Sequence, residues 1–400
     1  MLRMNKINDE LLNRGISAIY PSKEFLQSKL DKGEKITLYL GIDPTGPTLH
    51  LGHAIPIKKM SEFQKMGHKI ILLMGDFTAM IGDPTDKSAA RKQLTHKEVM
   101  LNLKNYKKQA SSLISFKGKN SAQFKFNSKW LKKMNFEKVL SLASQMTVQQ
   151  MLERDMFEER VKNGKPIYIH EFMYPLMQGY DSVAMDVDGE IGGNDQTFNM
   201  LCGRDLMKTM KNKEKFVITM KLLEDNSGKK MGKTEGNMIA LSDTPEEMYG
   251  KVMSWTDGLI ISGFELCTNV SIVEIEEMSN NLNSNKVNPR DLKMKLAKEV
   301  ISVFYGEKKS EQAQETFVNT FQKNEIPNDI LEIKVSEDIL LVDALLKNNL
   351  ISSKSDFRRL VDEKAITNME TDEKVISHTE KVKEGVYRIG KKRFCKIKIN

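Results

Sequence analysis

The sequence predicts an α/β fold: a parallel-sheet core with a helical insertion, then an α-helical region, then a small α+β module. Three observations carry this. From Lys35 to Met74, two apolar, β-rich runs flank one helix, which is a parallel crossover unit. A long, charged, helical stretch separates that unit from another apolar run, Phe216 to Met220, so the sheet is interrupted and then resumed. The chain ends in two short alternating runs, Val386 to Ile389 and Arg393 to Ile399.

Taken in order, residues 1–35 read as helical, with Leu11, Leu12, Ile16 and Ile19 near helical spacing. Lys35 to Ile42 is a buried strand. A helix follows from about Leu51 to Lys65 and stops near Gly67. Lys69 to Met74 is a second buried strand, with Gly75 and Asp76 at its end. Gly82 to Lys87 is a loop by composition. Residues 95–163 read as mostly helical. Ile191 to Gln196 reads as a glycine turn before a helix carrying Phe198, Met200 and Leu201. Thr244 to about Gln322 is helical, and Asn324 to Asp338 reads as a linker. Ile339 to Asn349 is an amphipathic helix. Ser352 or Ser353 caps a second one, which carries Lys354, Arg358 and Arg359.

The 400 residues suit two or three domains. A hydrophobic fraction of 40% with 29% charged residues fits a soluble globular chain. No apolar run approaches the length of a membrane span. Met1 to Glu10 is too polar and mixed in charge for a secretory signal. Cys202, Cys267 and Cys395 have neither metal-ligand nor disulfide spacing, which fits a reducing cytoplasm. The net charge is +8. Ile339 to Asn400 holds 14 Lys and Arg against nine Asp and Glu, a net +5. The basic excess therefore concentrates in the last module and suits an RNA partner, although a small solvated domain would also carry it.

Two elements carry chemistry. In the first, Tyr39 to His53, a strand, a tight turn and a helix start follow one another. A helix start offers free N–H groups and a positive dipole end to a phosphate. His50 and His53 share one helix face, and Gly52 between them leaves room for a flat ring. Alone, such a pair is more often structural. The second element, Ser227 to Asn237, sets Lys229, Lys230 and Lys233 among three glycines. Mobile glycines and lysine point charges suit a loop that closes over a triphosphate. A solvated surface turn would explain those lysines, but not their place downstream of a nucleotide-type helix start.

At this point the residues resemble a family. The first element is similar to the "HIGH" motif, and Lys230 to Thr234 to the "KMSKS" motif, of class I aminoacyl-tRNA synthetases. More narrowly, the chain resembles the bacterial-type tyrosyl-tRNA synthetases along nearly its whole length. Gly82 to Arg91, Tyr174 to Asp181 and Gly192 to Gln196 match as well. The C-terminal module is similar to the αL-type RNA-binding domain of a small-subunit ribosomal protein.

The resemblance implies a Rossmann-like catalytic domain over 1–244, with an insertion at about 117–185 that makes a dimer contact. It implies an α-helical anticodon-binding domain over 245–325, a linker over 326–338 and an RNA-binding domain over 339–400. The reaction implied is ATP-dependent formation of tyrosyl-adenylate, then transfer of tyrosine to the 3′ end of tRNA(Tyr). The substrate carboxylate is already ionised near neutral pH, so this chemistry needs positioned cations and donors rather than a general base. Magnesium would accompany the ATP, and no prosthetic group is implied. A cytoplasmic homodimer without membrane contact is expected.

The same resemblance distributes the residues. Thr45 and His50 serve the γ-phosphate end, and His53 with Gly52 the ribose side. Lys87, Arg91, Lys230, Lys233 and Thr234 serve the leaving pyrophosphate. Tyr39 and Asp181 flank the phenol hydroxyl, while Tyr174, Gln178 and Asp83 hold the amino group. Gly41, Asp43, Gly193, Asp195 and Gln196 line the adenylate and carboxyl side. The second motif reads Lys-Met-Gly-Lys-Thr, a form common in the tyrosyl branch, and Glu190 stands where part of the family has glutamine. Two rivals stand beside this reading: a tryptophanyl-tRNA synthetase, since an indole N–H could also meet Asp181, and a catalytically idle RNA-binding homologue.

Overall fold

The computed structural model describes residues 10–83, 94–224, 238–321, 330–336, 338–371, 373–390 and 393–399. The chain divides into two compact units, Met1–Glu311 and Gln312–Asn400.

The first unit is built on six strands: β1 (Ile16–Tyr20), β2 (Thr37–Ile42), β3 (Lys69–Met74), β4 (Gln123–Phe126), β5 (Gly189–Gly193) and β6 (Phe216–Met220). Their order is β1-β6-β5-β2-β3-β4. Strands β2 to β6 run parallel, and β1 lies antiparallel on the β6 edge. Helix α1 (Lys23–Asp31) starts at Ser22, whose side chain accepts from the Phe25 N–H. Helix α2 (Leu51–Lys65) crosses from β2 to β3. A single helical turn, α3 (Thr78–Ile81), leaves the end of β3, and α4 (His96–Leu103) and α5 (Tyr106–Ala110) lead to β4. Four short helices follow: α6 (Ser128–Leu131), α7 (Phe136–Ala143), α8 (Val148–Leu152) and α9 (Asp155–Lys162). The long helix α10 (Ile169–Met185) returns to β5, and α11 (Thr197–Lys211) joins β5 to β6. Helices α10 and α11 cross closely because both are glycine at the crossing. A Cβ on Gly179 would come 3.1 Å from the Gly203 nitrogen.

Helices α12 (Pro245–Met253), α13 (Ile260–Cys267), α14 (Ile272–Asn283), α15 (Pro289–Tyr305) and α16 (Glu307–Phe321) follow the sheet. Buried Arg14 ties α13 to the N-terminal segment. Its guanidinium donates to the carbonyls of Phe264, Glu265, Thr268 and Val270, in the last turn of α13 and just beyond it.

The second unit holds strands β7 (Leu331–Val335), β8 (Ile366–Asn368), β9 (Glu373–Lys374), β10 (Gly385–Ile389) and β11 (Arg393–Ile399), in the order β7-β11-β10-β8-β9. Helices α17 (Leu341–Lys347) and α18 (Lys354–Asp362) bury Leu341, Leu345, Phe357 and Leu360 with Ile389 and Ile397. Of the two serines proposed as the cap, Ser353 accepts from the Asp356 N–H.

Four expectations need correction. Residues 16–20 form a strand rather than helix, because in a short apolar run the two periods coincide and the pairing partner β6 decides. Gln123–Phe126, inside the expected insertion, is a sheet strand too short to show a period. Ile191 to Gly193 is the end of β5 rather than a turn. Its glycines are there for close packing: a Cβ on Gly192 would sit 3.0 Å from the Met200 sulfur. The expected linker contains β7, paired in parallel with β11. Ile333 and Val335 face inward there, while Glu332 and Lys334 give the run its polar look.

Candidate active site

The chain runs outward from β2 through β3 to β4, then returns to place β5 on the other side of β2. The connections therefore diverge between β2 and β5, leaving a crevice at the carboxyl ends of the strands. A cavity of about 660 Å³ lies there. Gly41, Ile42 and Asp43 reach it from β2, and Ile191, Gly192 and Gly193 from β5.

The helix α2 start forms one wall, through Thr45, His50, Gly52 and His53. His50 is the N-cap residue, and its N–H donates to Nδ1 of His53 at 3.2 Å, so the second ring is locked onto the first turn. The two rings lie 3.9 Å apart. A Cβ on Gly52 would meet the His50 ring at 3.0 Å, so any larger residue would have to push that ring aside. The segment after the lysine loop is hydrogen-bonded to this same element. The Leu241 N–H donates to the Leu49 carbonyl at 2.8 Å, and the Leu51 N–H to the Ile239 carbonyl at 3.1 Å. Leu222 and Leu223, on the near side of that loop, line the cavity. The described residues that flank the loop thus meet the histidine element on one side and the cavity on the other. Lys87, Arg91, Lys230, Lys233 and Thr234 lie outside the described residues.

The opposite wall is a hydrogen-bonded polar network. Asp43 accepts from Thr78 Oγ1 at 2.7 Å and from the Tyr174 hydroxyl at 3.0 Å. Enclosure by protein pushes its carboxyl up to about 7, against the opposing pull of those two donors. Asp181 is buried and accepts from Trp130 Nε1 at 2.7 Å and Asn127 Nδ2 at 3.2 Å. Burial also raises its carboxyl well above the ordinary range, and the two donors oppose the shift. Asn127 Nδ2 reaches Thr78 Oγ1 as well, at 3.0 Å, so a continuous chain links Asp181 to Asp43 and Tyr174. Asp83 accepts from Gln196 Nε2 at 2.7 Å, and Asn199 Nδ2 holds Gln196 Oε1 at 2.9 Å. Gln178 donates from Nε2 to Glu190 Oε1 at 3.1 Å. Asp195 completes the rim beside Gly193.

All the described residues expected in the site therefore line one cavity, except Tyr39. Tyr39 is fully buried one step deeper on β2, packed with Ile71, Leu73 and Val187, and its hydroxyl lies 2.9 Å from Ser182 Oγ. The donors to Asp181 are Trp130 Nε1 and Asn127 Nδ2. Sequence reasoning missed Thr78, Asn127 and Trp130, none of which belongs to a recognisable motif. The buried partner of Glu190, Lys215, was missed too.

The Asp43 shift has a consequence for stability. In the unfolded chain the group ionises near 3.8, and in the folded protein near 7. Between those values only the unfolded chain releases the proton. Folded-state stability therefore falls as pH rises, by at most about 4 kcal/mol and less where cavity water screens the charge. Asparagine cannot ionise. Asp43→Asn should gain on the parent protein in thermal melts run from about pH 5 to about pH 8. A pH-independent difference between the two would exclude this.

A nucleotide-type helix start, a buried carboxylate and a switch-point cavity are shared by several α/β families, and the match along the chain decides among them. A family profile described as tRNA synthetases class I (W and Y) matches residues 31–322.

The chain belongs to the class I tRNA synthetases.

Within them, its relatives lie in the tyrosyl branch. It is 43% identical to tyrosine–tRNA ligase 2 of Clostridium acetobutylicum, over 98% of this chain and 99% of that one. It is also 43% identical to the tyrosine–tRNA ligase of Thermotoga maritima, over 97% and 96%. Among solved structures, it is similar in fold to a C-terminally truncated mitochondrial tyrosyl-tRNA synthetase of Aspergillus nidulans. That match has a TM-score of 0.65 and 22% identity, over 79% of this chain and 94% of that one. A tyrosyl-tRNA synthetase complexed with L-tyrosine from Archaeoglobus fulgidus aligns with a TM-score of 0.61 and 20% identity, over 78% and 99%.

Proposed function

We infer that this class I synthetase is a tyrosine–tRNA ligase: it activates L-tyrosine with ATP to tyrosyl-adenylate and pyrophosphate, then transfers tyrosine to the 3′ end of tRNA(Tyr). One observation carries this beyond family membership. The cavity under the paired histidines ends at a buried carboxylate, Asp181, fixed by two donors from behind. A phenol hydroxyl meets a hydrogen-bond acceptor there, whereas a phenyl ring would forgo that bond to a buried carboxyl group.

The proposed roles are those the family resemblance implies. His50, His53 and Thr45 at the helix start face the phosphates and ribose of ATP. Gly41, Gly52 and Gly193 let the nucleotide approach the backbone. Asp43, Asp195 and Gln196 border the adenylate and carboxyl side, while Tyr174, Gln178 and Asp83 receive the amino group. Lys87, Arg91, Lys230, Lys233 and Thr234 stabilise the leaving pyrophosphate. Magnesium comes with the ATP phosphates as part of the substrate; among the described residues no cluster of His, Cys, Asp and Glu suits a protein-held metal. Tyrosine-dependent exchange of pyrophosphate into ATP, with tryptophan as control, tests the reading. Exchange with tryptophan alone would sink it, and exchange with neither would favour an idle RNA-binding homologue.

Residues 245–325 face the anticodon. The second unit grips tRNA through the exposed face of α18, where Arg358 projects from a helix pinned at Ser353. Arg358→Glu should weaken tRNA charging several-fold and leave pyrophosphate exchange unchanged; unaltered charging would remove α18 from the RNA surface. A homodimer is supported by large apolar side chains left exposed on the insertion: Phe136 at 75%, Leu140 at 55% and Ile169 at 82%. Phe136→Asp combined with Ile169→Asp should convert a dimer to a monomer by light scattering. A dimer that persists would move the interface elsewhere. The three thiols are buried and unpaired, which suits a reducing cytoplasm.

A further inference from the structure

Behind the amino-acid end of the cavity lies an ion pair that the activation chemistry does not use. Lys215, immediately before β6, has no exposed surface, and Glu190 on β5 has almost none. The Lys215 ammonium pairs with Glu190 Oε2 and donates to Ser182 Oγ at 2.8 Å. Ser182 is in turn 2.9 Å from the Tyr39 hydroxyl, and the ammonium lies 5.7 Å from the Tyr39 ring centre. The other oxygen of Glu190 accepts from Gln178 Nε2 at 3.1 Å. Tyr39 and Glu190 are register partners across the β2–β5 pair, so this cluster sits at the switch point itself. Room for the ammonium is built into the helix crossing, since a Cβ on Gly203 would come 2.6 Å from Lys215 Nζ.

Fully buried ion pairs are weak sources of stability, because desolvating two charges offsets most of their attraction. This one has a directional effect. With its Nε2 held by Glu190, the Gln178 amide is left with Oε1 as an acceptor toward the cavity it lines. Without Lys215, Glu190, the partner that orients Gln178, would be an uncompensated carboxylate on the cavity wall, and Ser182 would lose the ammonium that donates to it.

We propose that Lys215 is a positioning residue for the amino-acid subsite: through Glu190 it fixes the donor–acceptor sense of Gln178, and through Ser182 it holds Tyr39 beneath the substrate ring. The proposal rests on the cavity being the tyrosine site. Lys215 touches no substrate, so its removal should raise the KM for tyrosine and spare the KM for ATP.

The test is pyrophosphate exchange with the full chain, comparing the parent enzyme, Asp181→Asn, Lys215→Met, and Lys215→Met with Glu190→Gln. Lys215→Met should raise the tyrosine KM about tenfold, the equivalent of one substrate hydrogen bond, with the ATP KM unchanged. Adding Glu190→Gln removes the stranded charge, still accepts from Gln178, and should recover most of that loss. Equal rises in both KM values, or no recovery in the double variant, would overturn the proposal. If Lys215→Met does not fold, the neutral double variant decides. A tyrosine KM within about threefold of the parent supports the positioning role, and a loss shared by both substrates refutes it. The Asp181→Asn arm separates the two levels of inference. If it leaves the tyrosine KM untouched, the cavity is not the tyrosine site, and the role of Lys215 falls with that reading.

Discussion

Asp181→Asn should lower kcat/KM for tyrosine in pyrophosphate exchange by about a hundredfold or more, equivalent to about 3 kcal/mol of lost transition-state binding. The change is nearly isosteric, so volume does not account for the effect. Both oxygens of Asp181 already accept from protein donors, Trp130 Nε1 at 2.7 Å and Asn127 Nδ2 at 3.2 Å. An asparagine can satisfy only one of them with its oxygen; its NH2 group then faces the other donor. Either Trp130 or Asn127 must turn away, and the acceptor for the phenol is lost or misplaced. In the proposed function ATP binds against His50 and His53, which also line the cavity, so its binding should be little affected. The ratio of tyrosine to phenylalanine activation should therefore collapse, because phenylalanine never used the contact. Equal losses in ATP binding and tyrosine activation would show that Asp181 holds the cavity open rather than reading the substrate.

The contrast between Asp181 and its surroundings shows which parts of this molecule are legible in a sequence. Helix α2, β3 and β6 lie where their apolar patterns place them, because each buries a continuous face that leaves a readable period. Strand β4, with four residues, is too short to do so, and β7 hides its inward Ile333 and Val335 between charges. The site behaves the same way. Residues that meet the substrate directly cluster in short motifs, since one turn or helix start must present several of them together. Residues that orient them come from anywhere the fold brings a donor. Asn127 reaches Asp181 across 54 positions of sequence, and Lys215 reaches Glu190 across 25. No periodicity or spacing marks such pairs. Tyr39 combines the two: it lies in a readable motif, but its hydroxyl is 2.9 Å from Ser182 Oγ, a pairing across 143 positions that no spacing marks.

Glycine at the end of β3 is the least conspicuous residue in the site and carries one of its largest expected effects. Gly75→Ala should reduce tyrosine activation by about a hundredfold or more while the protein still folds. A Cβ at this position would lie 1.9 Å from Asp43 Oδ1 and 2.3 Å from Thr78 Oγ1. Neither side chain is long enough to bend aside and keep its bond. The backbone has little freedom to retreat, because the Gly75 N–H donates to the Ile42 carbonyl at 2.9 Å and its own carbonyl accepts from Ala79 at 2.9 Å, opening α3. The contact must therefore be relieved by expelling Asp43. That breaks its bonds to Thr78 and Tyr174, and the displaced Thr78 releases Asn127, the donor behind Asp181. One methyl group would thus reach the phenol end of the site through three hydrogen bonds. Gly250→Ala provides the control. That glycine lies inside α12 with open space where a Cβ would go, so alanine should leave exchange unchanged and add about 0.5–1 kcal/mol of stability. Exchange within about twofold of the parent in Gly75→Ala would mean that Asp43 has a second stable position, and that the chain from Thr78 to Asp181 is not what holds the tyrosine site in register.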